Sequence, residues 1–216
     1  MLDCRWRYVG RLPYAEALAL QKDTVRRRVA KEIPDTLILI EHPPVITMGK
    51  MSKKEHLIGS RPDVEVVETP RGGDVTYHGP GQIVGYPINE LTVSKVDLKK
   101  YLGKLEEVMI RASARYGVEA ERQEGMTGAW VGDRKIGAIG VRVEKWVTSH
   151  GFALNANNDL GGFDLIIPCG LKGKGVTSIA REIGHEVDLD ELRRSVAEIF
   201  GEVVGRRMIH EGQPRD

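Results

Sequence analysis

Between residues 128 and 168, four strand-like stretches (128–132, 135–147, 151–156 and 163–168) follow one another with no helical pattern between them. Parallel neighbours need a long crossover, usually a helix, so strands joined this closely pair antiparallel. Gly132-Asp133 between the first two fits a hairpin turn and sets Lys135 at the start of a strand. Upstream, 36–40 reads as a buried strand, and Pro43-Pro44 turns the chain into another at 45–48. Short strands are expected at 64–68 and 83–88, the second interrupted by Gly85 and Pro87.

Three helices frame these groups. The first spans 13–31, with Tyr14, Ala17, Leu18, Val25 and Val29 at helical spacing behind Pro13. The clearest covers about 97–116, where Leu98, Tyr101, Leu102, Leu105, Val108, Met109, Ala112 and Tyr116 form one stripe. Asp97 fits its N-cap and Gly117 the residue after its end. The last begins near Asp188 and buries Leu189, Leu192, Val196, Ile199 and Phe200, and the tail after Arg206 reads as polar and loose. Grouped strands between few helices predict an α+β class: one domain over 1–216, with a mixed, largely antiparallel sheet and flanking helices.

Composition narrows the function. The chain has 216 residues and a formal net charge of +1, from 32 basic and 31 acidic side chains, which argues against nucleic-acid binding through phosphate neutralisation. Its two cysteines, Cys4 and Cys169, form no CxxC pair, so neither a disulfide scaffold nor a zinc ribbon is expected. The first residues carry no apolar signal-peptide core, and no apolar run approaches the ~20 residues that span a bilayer. The expected location is the cytoplasm, where a free thiol stays reduced.

Three segments can carry chemistry. Ile166-Ile167-Pro168-Cys169-Gly170 reads as an apolar strand that stops and hands a thiol to a turn, either as a nucleophile or as a buried small hydrophobe. Lys135-Ile136-Gly137-Ala138-Ile139-Gly140 puts a lysine before small residues that leave a groove for an extended chain. An ammonium packed against a thiol favours the thiolate, and the two then act as nucleophile and proton carrier, whereas most lysines simply face solvent. Residues 71–82, Arg71-Gly72-Gly73-Asp74-Val75-Thr76-Tyr77-His78-Gly79-Pro80-Gly81-Gln82, bring backbone amides and polar side chains to one place. No Gly-Lys-[Ser/Thr] closes this run, and Gly170 to Gly175 is followed by Val176, so neither is a P-loop. His78, or His150 in Ser149-His150-Gly151-Phe152-Ala153-Leu154-Asn155, is the alternative base of a Cys–His pair, which spacing does not decide. His42, His56, His185 and His210 show no metal spacing and read as structural.

Taken together, residues 71–82, 135–140, 150–155 and Pro168-Cys169-Gly170, with Glu41-His42-Pro43-Pro44 and Gly173-Lys174-Gly175-Val176-Thr177-Ser178, resemble the lipoyl(octanoyl) transferases. The likeness runs from about 35 to 180, with no departure at the quoted positions. It implies the fold shared with biotin and lipoate protein ligases, and octanoyl transfer without ATP or another cofactor, metal included. It implies that Cys169 corresponds to the acyl-thioester nucleophile and Lys135 to the residue that lowers its pKa. Arg71, Gly72, Gly73, Asp74, Val75, Thr76, Tyr77 and His78 correspond to substrate-binding positions, as do Ala138, Ile139 and Gly140, and Gly151, Phe152 and Ala153. The implied donor is octanoyl-acyl carrier protein. The implied acceptors are apo lipoyl domains of 2-oxoacid dehydrogenase complexes and the glycine cleavage H protein, with no membrane or nucleic-acid partner and a monomeric enzyme. Two rivals are an ATP-dependent lipoate ligase, which needs no cysteine at 169, and a silent module that binds lipoyl domains or carrier proteins.

Overall fold

The strand Asp35–Glu41 is buried along its whole length because both of its faces are covered. Leu37 and Leu39 enter one apolar cluster, while Ile38 and Ile40 enter another on the opposite face. The computed structural model describes residues 1–94, 97–167 and 174–212. In chain order these give β1 (Leu2–Arg11), α1 (Tyr14–Val29), β2 (Asp35–Glu41), β3 (Val45–Met48), β4 (Glu65–Glu68), β5 (Val75–His78), β6 (Gln82–Ile88), α2 (Leu91–Ser94) and α3 (Leu98–Ala114). Then follow β7 (Glu121–Gln123), β8 (Met126–Val131), β9 (Arg134–Glu144), β10 (Val147–Asn155), β11 (Gly175–Val176), α4 (Ile179–Ile183), α5 (Leu189–Val204) and β12 (Arg206–His210). Two 3₁₀ turns, Lys54–His56 and Gly161–Leu165, complete the described elements.

The large sheet runs β12-β1-β2-β6-β10-β9-β8-β7, with β11 added beside β9. Every link from β2 to β7 is antiparallel, while β1 lies parallel to both β2 and β12. The expected α+β class with a mixed, largely antiparallel sheet is borne out. α3 and α5 cover one face of the sheet, and α1 covers the other over β6 and β10. A small sheet, β4-β3-β5, packs beside the second 3₁₀ turn over Ile46, Tyr77, Phe163 and Ile166. No helix among the described residues is long and apolar enough to cross a membrane.

Two expectations are corrected. The tail after Arg206 is not loose through its first residues. It forms β12, whose register against β1 is held by Trp6 stacked on His210 and by Arg5 and Arg7 on Glu211. β12 is an edge strand held by these ion pairs and one ring contact and shows no apolar alternation of its own. β1 instead lies inside the sheet with Cys4 in the core and Trp6 packed on it, and its alternation of Leu2, Cys4, Trp6 and Tyr8 with charged residues was the available signal. Over its described residues, 163–167, the stretch expected as a strand at 163–168 is not one: Gly161–Leu165 is a 3₁₀ turn and Ile166 only bridges Leu57. Apolar residues recur there because Phe163 and Ile166 plug the small sheet.

Carboxylates close both ends of the buried β2. Asp35 accepts from Arg28 Nε and Arg206 Nε, each at 2.8 Å. Glu41 accepts from Arg193 at 2.7 Å, Tyr8 at 2.9 Å and the Gly81 amide at 2.8 Å, and Arg11 reaches it at 3.3 Å. Burial alone would raise the pKa of Glu41, but these donors outweigh it and hold the carboxyl below its ordinary value. Glu41→Leu is expected to cost about 3 kcal/mol or more, because Arg193 loses its buried partner. Arg11→Ala, on the exposed side of the same carboxylate, is expected to cost under about 1 kcal/mol. Urea unfolding measures both, and equal losses would contradict this division.

Candidate active site

The cleft is floored by β9 and β10, which pair Ala138 with Ala153, Ile139 with Phe152 and Gly140 with Gly151. It encloses about 430 Å³, with walls formed by residues 71–76 and His78. Leu98 and Leu102 of α3, together with Met51 and Met126, give its rim apolar character. Lys135 lines it as well, so the stretches singled out in the sequence converge on one cavity. Tyr77 is the exception: its ring packs 5.4 Å from that of Phe163 beneath the small sheet. Pro168, Cys169 and Gly170 lie outside the described residues.

Close approach of two backbones builds the wall. The Gly72 amide donates to the Val141 carbonyl at 3.0 Å. A Cβ on Gly140 would stand 2.9 Å from both the Gly72 oxygen and the Arg71 Cδ, so only glycine admits that segment. Arg71 is buried and threads its guanidinium into β3, donating to the Thr47 carbonyl at 2.5 Å and to the Thr47 hydroxyl at 2.9 Å. A fixed positive charge thus borders an otherwise apolar cavity.

From Thr47 a chain of hydrogen bonds runs under the floor. His78 Nε2 lies 3.3 Å from the Thr47 hydroxyl, and its Nδ1 lies 2.7 Å from Gln82 Oε1. Gln82 Nε2 donates to Asn155 Oδ1 at 2.8 Å, and Asn155 Nδ2 donates to the Thr177 carbonyl at 2.9 Å. A carbonyl only accepts, so the assignment propagates backwards: Asn155 presents its nitrogen to Thr177, Gln82 its oxygen to His78, and His78 carries its proton on Nδ1. The Thr47 hydroxyl then donates to His78 Nε2 while accepting from Arg71.

The histidines here are neutral. Burial, then the neighbouring His42 and Arg71, push His78 down to about 3. Burial, then Arg71 and Arg142, take His150 to about 4. His42 is lowered by burial, although its bond to the Leu12 carbonyl works against the shift. His42 Nε2 meets the Tyr86 hydroxyl at 2.6 Å, and His150 Nδ1 lies 3.4 Å from that of Tyr14. With both ring nitrogens of His78 and of His42 engaged, these side chains form a rigid polar end wall.

Lys135 is buried, and its ammonium lies 4.9 Å from the centre of the Trp130 ring, its cross-strand neighbour. Gly128 makes room for it: a Cβ there would stand 2.7 Å from Lys135 Cε. The Lys135 carbonyl accepts from the Thr177 amide at 3.0 Å, and Val176 pairs with Lys135. On the other side, the Ile167 amide donates to the His56 carbonyl at 2.8 Å, and His56 Nδ1 lies 2.7 Å from Asp74 of the cleft wall. Among the described residues no group of three or more His, Cys, Asp or Glu side chains is arranged to hold a metal ion.

Sequence reasoning missed part of this lining. Tyr14 read only as part of the apolar spacing of the first helix, Tyr86 was not singled out, and His42 read as structural, yet both tyrosines border the cavity and His42 sits behind them. Leu98 and Leu102 belong to the apolar stripe of α3, but they face the cavity while Tyr101, Leu105 and Met109 fill the core. The width of that stripe was the available signal, because a helix serving two surfaces needs more than one apolar face.

This architecture is that of known ligases. A bipartite lipoate protein ligase from Thermoplasma acidophilum superposes with a TM-score of 0.75 at 14% identity, covering 98% of this chain and 87% of that one. The biotin protein ligase from Aquifex aeolicus, in complex with biotin and ATP, gives 0.57 at 12% identity over 95% of this chain and 71% of that one. The chain belongs to the lipoyl protein ligase A/B catalytic domain family, whose model matches residues 13–201. Among its relatives, the octanoyltransferase of Caldicellulosiruptor saccharolyticus is 49% identical over 93% of this chain and 88% of that protein. The octanoyltransferase of Rubrobacter xylanophilus is 50% identical over 94% of each.

The neutral histidines make stability depend on pH. Below an unfolded pKa near 6.5 the unfolded chain takes up protons that folded His42, His78 and His150 refuse. Stability is therefore full above about 6.5 and falls as pH drops towards the folded values, by up to about 1.4 kcal/mol per pH unit for each histidine. Urea midpoints measured from pH 7.5 to 5 are expected to decline steadily, and a flat profile would contradict burial of these rings in the neutral form.

Proposed function

We propose that this chain moves an octanoyl group from octanoyl-acyl carrier protein to the ε-amine of a lysine on apo lipoyl domains, with Cys169 carrying the group in between. The observation that carries the reading is the buried Lys135 lining an apolar cleft of about 430 Å³, beside the strand that resumes six residues after Cys169. The relatives at 49% and 50% identity are named octanoyltransferases, which supports an octanoyl group as the cargo.

In the first half-reaction, the Cys169 thiolate attacks the carbonyl carbon of the donor thioester. A new sulfur–carbon bond forms, the pantetheine sulfur–carbon bond breaks, and the departing sulfur takes the proton that Lys135 had removed from Cys169. In the second, the acceptor amine attacks the Cys169 thioester and forms the amide. Cys169 leaves as thiolate, and neutral Lys135 accepts the surplus amine proton. Thioester to amide runs downhill, so ATP has no part in the cycle. Apolar side chains at Ile139, Val141, Phe152, Leu98 and Leu102 take up the hydrocarbon chain. The backbone amide of Gly170, or one of residues 71–82 other than Gly72, whose N–H already donates to Val141, is the candidate oxyanion donor.

The acceptors in this reading are the lipoyl domains of 2-oxoacid dehydrogenase complexes and the glycine cleavage H protein. The chain works as one domain, as a monomer, in the cytoplasm. His78 and His150, held neutral by burial, carry no imidazolium proton near pH 7, so neither serves as the cationic acid of the cycle.

Lys135→Ala is expected to lower octanoyl transfer at pH 7 by about 10²-fold or more while the protein stays folded. Steady-state assays with octanoyl-acyl carrier protein and an apo lipoyl domain measure this, and unchanged turnover would remove Lys135 from the mechanism. Shortening the donor from octanoyl to hexanoyl removes two methylenes from the cleft, worth about 1.6 kcal/mol, or roughly fifteenfold in kcat/KM. Equal kcat/KM for the two donors would count against burial of the chain.

A further inference from the structure

Along one edge, β9 changes partner. β10 pairs with it from Glu144 down to Gly137, and β11 takes over at Lys135 and Arg134, running the opposite way. β8 holds the other edge over Arg134–Gly137, with a register shift between Ala129 and Trp130. Where β10 stops and β11 begins, two strands of opposite direction abut on a third, and their backbones cannot share a regular ladder. A narrow fork opens there, lined by Lys135, Gln82, Ala138, Ala153, Asn155 and Val176.

Asn155 is the last residue of β10, and its carboxamide spans the fork. Its Nδ2 donates to the Thr177 carbonyl at 2.9 Å, and the Thr177 amide donates to the Lys135 carbonyl at 3.0 Å. Thr177 is fully buried and is thus clamped through both of its backbone polar groups. The clamp cannot turn over, because Asn155 Oδ1 accepts from Gln82 Nε2 at 2.8 Å and from Asn158 Nδ2 at 3.2 Å. Gln82 is in turn fixed by His78 at 2.7 Å.

We propose that Asn155 is a positioning residue: by holding Thr177 across this fork it fixes the strand that follows Cys169 against the backbone of Lys135. The inference rests on the Cys169–Lys135 reading given above. Without the carboxamide, Thr177 loses one of its two backbone anchors, keeping its amide bond to Lys135 and its hydroxyl bond to Glu182, and the separation between the lysine strand and the resuming chain loosens. The reacting groups then meet less often in the productive arrangement, while donor binding in the cleft persists.

The test compares wild type, Asn155→Ala and Asn155→Asp. The second variant keeps the shape and the acceptor for Gln82 but lacks the donor to Thr177, and it serves if the first fails to fold. Two quantities are read: steady-state octanoyl transfer, and the pH dependence of iodoacetamide labelling at Cys169, with Cys4 silent because it is buried in the core. The expected result is a tenfold or greater fall in kcat, with KM for octanoyl-acyl carrier protein within twofold, and for Asn155→Ala a labelling midpoint shifted towards that of a free cysteine. A folded variant with wild-type kcat and labelling profile overturns the role of Asn155 and leaves the Cys169–Lys135 pair standing. A wild-type thiol that already titrates like a free cysteine overturns the pair, and the inference with it.

Discussion

The site depends on β9 having to satisfy different partners along its length. Near Lys135 it is bounded by β8 and β11, and further on by β10, with Gly72 bonded to Val141. Each change of partner leaves a gap in the ladder that side chains and small residues must fill. Glycines at 72 and 140 let one backbone close in, and at 128 the absence of a Cβ lets the Lys135 stem pass. Asn155 bridges the remaining gap with its carboxamide. A cavity floored by regular strands and entered at irregular ones combines a rigid wall with access for a long substrate.

Electrostatics follow from the same burial. Arg71 is a permanent cation held by neutral acceptors of Thr47 and Gly72, and the field it adds helps keep the nearby histidines unprotonated. Rings that would otherwise titrate near pH 6.5 become fixed donors and acceptors, each with one proton in a defined place. Elsewhere along the cleft the Lys135 ammonium rests against the Trp130 ring. The arrangement gives the cleft a wall whose charge does not change near pH 7.

Much of this was legible in the sequence because the relevant forces are local. Asp97 and Asp188 cap α3 and α5 as their residue types require, and Gly117 takes a positive φ after α3. The hairpin at Gly132 and the start of β9 at Arg134 also follow from local turn chemistry. β1 carries a legible alternation at Leu2, Cys4, Trp6 and Tyr8 that was overlooked, whereas β12 was hidden because tertiary ion pairs and a ring stack hold it at the sheet edge. The roles of His42, Tyr14 and Tyr86 were hidden for a similar reason. Their hydrogen bonds join residues 30 to 136 positions apart, a distance that no periodicity records. The relay from Arg71 to Thr177 passes through Thr47, His78, Gln82 and Asn155, and only the fold makes it continuous.

The central claim is that a lysine at the fork serves a single sulfur that carries acyl cargo. Its most direct test is intact-mass measurement after mixing the protein with octanoyl-acyl carrier protein in the absence of any acceptor, followed by peptide mapping. The account predicts one octanoyl adduct per chain, on Cys169, discharged when an apo lipoyl domain is added. An adduct on Lys135, or none on a protein that still transfers octanoate, would contradict it.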